Sequence, residues 1–399
     1  MKPTKIMWAI KNMKKFITTL YITFLCLLGA AQKWDNVTIS ATVQPQYQWG
    51  EKDASLGVGT ENENKNNSFS RIGIRRGYIR IAYEEQNTLG VFQVDVTERG
   101  VSFIDVFFKI NDPWINKMAM QAGVFSRPFG FEVGYSSARR ESPERSMIIS
   151  TLFPESRDLG AMLVLNAPKN SLWDALTLES GLFAGNGIKM ETDSKRDFIG
   201  HLSMSKTFEI PIVFGVGMSY YNGKVYQGTE KVYAMVGKQF VVDEREKNKG
   251  AFAKREYVGF DIQCSLLASG SQIRGEFIFG QQPGTLTSSR SPNSSILREH
   301  DTYIRNFKGG YLIYIQDIGK LPFSFVGKYD WYNPNIKVSA NEIDSKTDLL
   351  QYTFGMGALW YINKNTRLQA FYEICKNEKS IHIENMKKNM LTLRLQYQF

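Results

Sequence analysis

Apolar and polar side chains alternate along most of this chain, and that alternation limits the folds that it can adopt. The pattern is clearest in LTLRLQYQF, residues 391–399, where leucine, tyrosine and phenylalanine take the odd positions and threonine, arginine and glutamine the even ones. Successive side chains of a strand point to opposite faces, so this segment predicts a strand with one apolar face. A chain terminus usually frays, and we therefore expect this one to be paired in a sheet. A soluble sandwich and a membrane barrel both alternate in this way.

The same pattern recurs within the chain, at 92–97, 104–110, 258–266, 273–279 and 350–360. In the second of these segments Ile104, Val106, Phe108 and Ile110 oppose Asp105 and Lys109. A soluble sandwich would bury the apolar faces in a core, whereas a membrane barrel turns them to lipid and lets the charges line water.

The lengths of the connections favour the barrel. Short links such as EEQNT, NDPWIN, EIP, DIGKLP and NKNT alternate with long polar ones at 50–68, 128–157, 283–302 and 333–347. Outer-membrane barrels have short turns on one side, longer loops on the other and an even strand number. Treating 231–242 as part of an external excursion over 222–254 restores this rhythm. The prediction is an all-β transmembrane antiparallel barrel of about 16 strands, a size that leaves an aqueous channel.

The N-terminal segment has the features of a secretory signal. Lys14 and Lys15 precede an apolar run that begins at Phe16 and ends in small residues up to Ala31. This order of charge, apolar core and small-residue exit predicts a signal peptide over residues 1–31. Residues 32–399 then form one barrel domain.

The charge of the mature chain is mild. Without the five lysines of residues 1–31, 44 basic residues face 39 acidic ones, a net charge of +5. That balance does not favour nucleic acid as a partner. The mature chain also has no apolar run of about 18 residues, the length that would indicate a transmembrane helix.

Cysteine and histidine do not indicate a metal centre or a disulfide framework. Cys264 falls on the lipid parity and Cys375 on the lumen parity, so we expect them not to pair. His201, His300 and His382 lie far apart, without a ligand at metal-binding spacing. We expect no metal and no cofactor.

The segment from Phe69 to Leu165, about a quarter of the chain, carries a more specific likeness. It has an arginine-rich second strand, an acidic strand pair around Gly100 and Asp105, a G-x-F-x-x-P-F segment at 123–129 and a Glu-Arg-Ser element at 144–146. This segment resembles the phosphate-selective porin O/P family. The resemblance implies a trimeric sixteen-stranded outer-membrane pore, with its third loop folded into the channel and arginines along an anion path. The loop in that position here is 128–157. The terminal aromatic residue also resembles the signal that the outer-membrane insertion machinery reads.

The candidate pore-lining and anion-binding residues are arginines of the second strand and of this loop: Arg71, Arg75, Arg76, Arg127, Arg139, Arg140, Arg145 and Arg157. In the second strand the apolar parity changes, so a β-bulge near Arg75–Gly77 would turn Arg76 inward. Two interpretations stay open. These side chains line an anion path, or they form ion pairs: those of the strand with Asp95 and Asp105, and those of the loop with the barrel wall.

The loop also carries Glu132, Glu141, Glu144 and Glu155, although an anion filter needs a basic ring with few uncompensated carboxylates. The predicted function is passive diffusion of small hydrophilic solutes across the outer membrane of a Gram-negative bacterium, with a preference for anions such as phosphate and without enzymatic activity. The expected partners are those solutes, outer-membrane lipid, the insertion machinery and further copies in a homotrimer. The alternatives are an adhesin or structural barrel and a barrel hydrolase.

Overall fold

The structure is a computed structural model that describes residues 36–64, 66–114, 117–168, 173–293 and 296–399. The predicted signal peptide lies outside these residues and stays a prediction. Among the described residues, no helix is long and apolar enough to cross a membrane.

One antiparallel sheet closes into a barrel of sixteen strands. Two more strands, β10 and β11, form an external hairpin at Lys231–Val236 and Gln239–Glu244. The barrel strands are β1 Val37–Gly50, β2 Phe69–Glu85, β3 Thr88–Thr97, β4 Gly100–Asn111, β5 Met118–Ser126, β6 Arg157–Asn166, β7 Leu176–Phe183, β8 Asp197–Thr207, β9 Ile212–Tyr226, β12 Phe252–Leu266, β13 Ser271–Gly284, β14 Thr302–Asp317, β15 Phe323–Asn333, β16 Gln351–Tyr361, β17 Thr366–Asn377 and β18 Met390–Gln398.

The last strand closes the barrel. It pairs with β17 on one side and with β1 on the other, from Thr42 opposite Gln398 to Gly50 opposite Met390. The final residue joins the ladder, since the amides of Phe399 and Ala41 each donate to the other's carbonyl, at 3.1 and 3.0 Å. The prediction of a paired terminus is confirmed, and closure removes the exposed edges that an open sheet would have.

The hairpin confirms that residues 231–242 belong to an excursion outside the wall. Strands β9 and β12 pair directly, from Tyr226 opposite Phe252 to Ile212 opposite Leu266, so the wall is continuous without β10 and β11. Strand β10 instead runs parallel to the start of β14, with Val232 opposite Thr302.

The two faces of the barrel have opposite character. The outward Met356 is 61% exposed, as are many other large apolar side chains around the wall, while the inward Arg394 is 1% exposed. A soluble protein buries apolar side chains and exposes its charges, so this inverted arrangement is the one required of a wall that faces lipid. It excludes the soluble sandwich that the alternation had left open.

Two irregularities shift the alternation. The β3–β4 register changes between Gln93 and Val94, which makes Ile104 the extra residue of a bulge and turns Phe103 outward beyond it. In β2, Ile72 is exposed before the second shift and Ile79 after it, so the outward parity changes between them. The predicted change of phase near Arg75–Gly77 is therefore confirmed.

Candidate functional site

The third external loop, residues 127–156, crosses the barrel interior; we call it the inner loop. At one side the amide of Gly130 donates to Ser219 Oγ of β9 at 2.8 Å. At another, Gln44 Nε2 of β1 donates to the carbonyl of Ser137 at 3.3 Å. Strands β1 and β9 are distant in the order of the wall, so the loop spans the lumen, as predicted.

An apolar core fixes one side of the inner loop. Its short helix α1, Met147–Leu152, and the rings of Phe129 and Phe153 are buried against inward aromatic side chains of the wall. The ring of Phe153 lies 5.0 Å from that of Phe129, 6.0 Å from Tyr221 and 5.9 Å from Tyr257. The alternation predicts that inward side chains line a water-filled lumen, and at this part of the wall that prediction is wrong. The missed signal was the presence of rings such as Tyr257 on the polar parity.

Glu144 fixes the other side of the loop through three arginines. Its Oε1 lies 2.8 Å from Arg75 Nε and 2.7 Å from Arg394 Nη2, and its Oε2 lies 3.2 Å from Arg76 Nη2. Burial alone would raise the pKa of Glu144, but Arg75, Arg76 and Arg394 together hold it well below its usual value. The carboxylate is thus ionised, and the cluster keeps a net charge of +2.

Arg75 and Arg76 of the second strand form ion pairs, although not with the predicted acids. Asp95, a predicted partner, instead accepts a hydrogen bond from the amide of Gly77 at 2.7 Å. Asp105, the other, pairs with Arg157 at 3.0 Å. The correction has a simple cause: the inner loop inserts Glu144 between the strands, and no local spacing reveals a partner that is 69 residues away from Arg75.

Solvent reaches only part of this ionic network. The pair between Arg127 and Asp158 is shielded from solvent, with side-chain exposures of 4% and 0%. The pair between Arg157 and Asp105 is accessible to solvent, with side-chain exposures of 22% and 14%. Solvent therefore reaches the network at Arg157 and Asp105, and also at Arg75, whose side chain is 25% exposed.

Arg139, Arg140 and Arg145 are the inner-loop cations without a carboxylate partner among the described residues. Arg139 is exposed. Arg145 donates to the backbone carbonyls of Glu132 and Val133, at 3.4 and 3.0 Å. Burial, with Arg140 and Arg157 nearby, lowers the pKa of Arg145 to about 9. The side chain remains protonated at neutral pH.

Arg140 and Arg71 lie in different surroundings. Arg140 is buried, its Nη2 donates to the carbonyl of Tyr135 at 3.1 Å, and its Nε and Nη1 have no partner among the described residues. Arg71 lies toward the long loops and donates to the carbonyls of Thr60 and Glu61, both at 3.1 Å. Their roles in a pore stay predictions.

Two cavities flank the inner loop. The long-loop cavity, about 720 Å³, is lined by residues of the long loops and by Arg75, Glu144 and Arg145; it has five basic and four acidic residues. The short-turn cavity, about 380 Å³, includes the turn at 363–365 and has four basic residues and one acid, Glu141. Basic side chains exceed acidic ones on both sides of the loop, so the electrostatic potential there favours anions.

The remaining polar candidates are satisfied locally. His201 Nε2 lies 3.0 Å from Asp261, and its Nδ1 lies 3.7 Å from Glu179. Sequence spacing did not reveal this contact, but the pairing of β7 with β8 places Glu179 directly opposite His201. Ser146 Oγ donates to Glu132. Cys264 and Cys375 are both free, as predicted.

No protein-family model matches this sequence, and no curated protein matches it. Solved structures do match. OprB of Pseudomonas putida aligns with a TM-score of 0.59 and 9% identity, over 91% of this chain and 94% of its own. The anion-selective porin of Comamonas acidovorans gives 0.52 and 12%, over 91% and 99%. OmpT of Vibrio cholerae in its trimer form gives 0.53 and 8%, over 91% and 99%.

These likenesses extend over nearly the whole chain and nearly the whole of each neighbour. They agree with the closed antiparallel wall. At such low identity they establish a common architecture. The barrel therefore has the fold of the outer-membrane porins of Gram-negative bacteria.

Proposed function

We propose that this chain is an outer-membrane porin through which small hydrophilic solutes diffuse passively, with a preference for anions such as phosphate. The observation that carries the proposal is the inner loop, which narrows the lumen and presents Arg139 and Arg145 without carboxylate partners in the part of the chain that the structure describes. No bond is made or broken in this process. Charge at the narrowed region raises the local concentration of one sign of ion and lowers that of the other.

The anion preference rests on what remains after the ion pairs are counted. Two of the four inner-loop carboxylates are ion-paired: Glu141 pairs with Arg274 at 2.6 Å, and Glu144 is shared by three arginines. Paired charges of equal number largely cancel at a distance. Glu132 and Glu155, the acids without an ion pair in the described part of the chain, are outnumbered by Arg139, Arg140, Arg145 and the two surplus arginines at Glu144, so the field is basic. The fold shared with an anion-selective porin is compatible with this assignment.

We also propose that the chain assembles as a homotrimer and that its last strand is read by the insertion machinery. The trimer form of OmpT has the same fold. The outward Phe399 at the barrel seam is exposed and accessible to a membrane-bound receptor.

Planar-bilayer recording of the folded protein tests the function. We expect an ohmic channel and, in a salt gradient, a reversal potential on the anion-selective side. Exchanging two of the cations without carboxylate partners (Arg139→Gln with Arg145→Gln) should lower the anion-to-cation permeability ratio, most strongly at low salt, because charges are screened within about 10 Å at 0.1 M.

The matched control is Lys247→Gln, which removes an exposed cation from the external excursion; its reversal potential should equal that of the wild type. An unchanged potential in the double variant would leave a general pore without anion preference. Absence of any conductance would instead favour the adhesin or structural barrel.

A further inference from the structure

A third cavity, of about 290 Å³, lies away from the lumen constriction; we call it the side cavity. It is enclosed by the loop after β7, the loop after β13 and both ends of the inner loop, and its lining includes Arg127, Glu155, Lys189, Arg255 and Arg290. The volume is far above the roughly 15 Å³ needed to hold one water molecule. Ser288 and Arg290 also line the long-loop cavity, so the side cavity adjoins it.

Two buried arginines form the base of the side cavity. Arg127 pairs with Asp158, and Arg255 pairs with Asp197. Arg255 also donates from Nη1 to Ser291 Oγ at 3.1 Å, but its Nε has no hydrogen-bond partner among the described residues. A buried guanidinium N–H without an acceptor is costly, and a ligand oxygen in the cavity would remove that cost.

Two glycines at the base of the side cavity let charged side chains lie close to the backbone. Gly185 and Gly187 both have positive φ, 76° and 71°, which disfavours other residues. A Cβ at Gly187 would collide with the carboxylate of Glu155, and one at Gly185 would lie 2.9 Å from Arg255 Nη2. The amide of Ile188 donates to Glu155 at 3.3 Å. The acid is thus held by the turn that precedes Lys189.

The lining is rich in donors and poor in acceptors. Lys189 and Arg290 are exposed at its rim, without ion pairs among the described residues, and Arg127 and Arg255 lie at its base. Glu155 is the one acidic side chain of the lining. Such a site matches a ligand that carries several acceptor oxygens and negative charge, since arginine presents its N–H groups in a fork that fits phosphate or carboxylate.

We propose that the side cavity is a binding site for a small oxyanion of the phosphate class, separate from the pore constriction. The rim cations Lys189 and Arg290 attract it, and Ser291 and Arg255 donate to its oxygens. Binding at equilibrium does not require conduction, so the proposal stands or fails independently of the proposed porin function.

Isothermal titration of the full folded chain in detergent with inorganic phosphate, in chloride buffer, tests the site. We expect one saturable site per chain. The Lys189→Gln and Arg290→Gln double variant should bind about tenfold more weakly or worse, because each exchange removes a charge-assisted contact. Glu155→Gln should bind more tightly, because it removes the single acid and keeps a carbonyl acceptor for the turn. Lys247→Gln, on the external excursion, should bind like the wild type.

Equal affinity in the double variant and the wild type, or no saturable binding of phosphate, would overturn the proposal. Lys189 and Arg290 are exposed, and heat-modifiable migration of each variant verifies that its barrel is folded. The phosphate can be free or can belong to a lipid headgroup. Competition by added lipopolysaccharide would assign a lipid-linked source to the same site, and its absence would assign the free ion.

Discussion

Exchanging Glu144 for glutamine tests whether ion pairs hold the inner loop against the wall. The exchange keeps the shape of the side chain and removes the charge that Arg75, Arg76 and Arg394 share. Of these partners, Arg394 and Arg76 are almost fully buried. The variant therefore leaves two buried guanidinium groups without their counterion.

Removing one partner of a buried pair costs about 3–5 kcal/mol. The Glu144 side chain is 29% exposed, so we take the lower limit, about 3 kcal/mol, which corresponds to roughly a hundredfold change in an equilibrium constant. The population of loop segments detached from β1, β2 and β18 should rise by about that factor. The helix α1 should not follow, since its contacts with the wall are apolar.

Hydrogen exchange measured by mass spectrometry resolves the two sides of the loop. We expect backbone amides between 136 and 146 to exchange up to about a hundredfold faster in Glu144→Gln, while amides of α1, such as that of Ser150, keep their protection. Glu246→Gln, a carboxyl in the external excursion, is the control. Unchanged exchange at 136–146 would refute the claim that the Glu144 ion pairs hold this part of the loop against the wall.

Three further predictions concern acid, the last strand and processing. The pKa of Glu144 lies well below its usual value. The stabilising contribution of its ion pairs is therefore present above the unfolded pKa of about 4.3 and is lost only as the pH falls through the lower folded value. Single-channel conductance of the wild type should be the same at pH 4.5 and pH 7, and a loop-open conductance at pH 4.5 would contradict this. Deleting Phe399 or exchanging it for lysine should lower the amount of heat-modifiable assembled protein without lowering synthesis or export, because the residue pairs with Ala41 at the seam; normal assembly would count against that role. The mature chain should begin near Gln32 by N-terminal sequencing of the outer-membrane form, and a start at or before Phe16 would exclude the predicted signal peptide.

The wall could be predicted from sequence because its rule is local. A strand has a period of two, so the outward position of Leu393 and the inward position of Arg394 follow from their order alone. The strand count followed from loop rhythm once 231–242 was assigned to an excursion. Both deductions use neighbours in the chain and need no knowledge of distant contacts.

The interior could not be predicted in the same way. Arg394 contacts Glu144 across 250 residues of sequence, and Arg274 contacts Glu141 across 133. A lumen-facing position fixes the direction of a side chain but not what it meets there. The ring of Tyr257 was on the polar parity, and only the path of the inner loop explains why an apolar surface is needed at that position.

The two sides of the inner loop contribute differently to the pore. The apolar side fixes the position of the loop, and the ionic side also determines the charge that passing ions meet. The apolar side needs no charge and is insensitive to salt, since it depends on burial of rings such as Phe129 and Phe153. On the ionic side, the charge of Glu141 is neutralised by Arg274. The charge of Glu144 neutralises only one of the three arginines that contact it. The surplus arginines of that cluster, with Arg139 and Arg145, are then the charges that a passing ion experiences. The loop carries nearly equal numbers of acids and bases, yet its field is basic, because wall arginines neutralise Glu141 and Glu144 while Arg139, Arg140 and Arg145 have no carboxylate partner among the described residues.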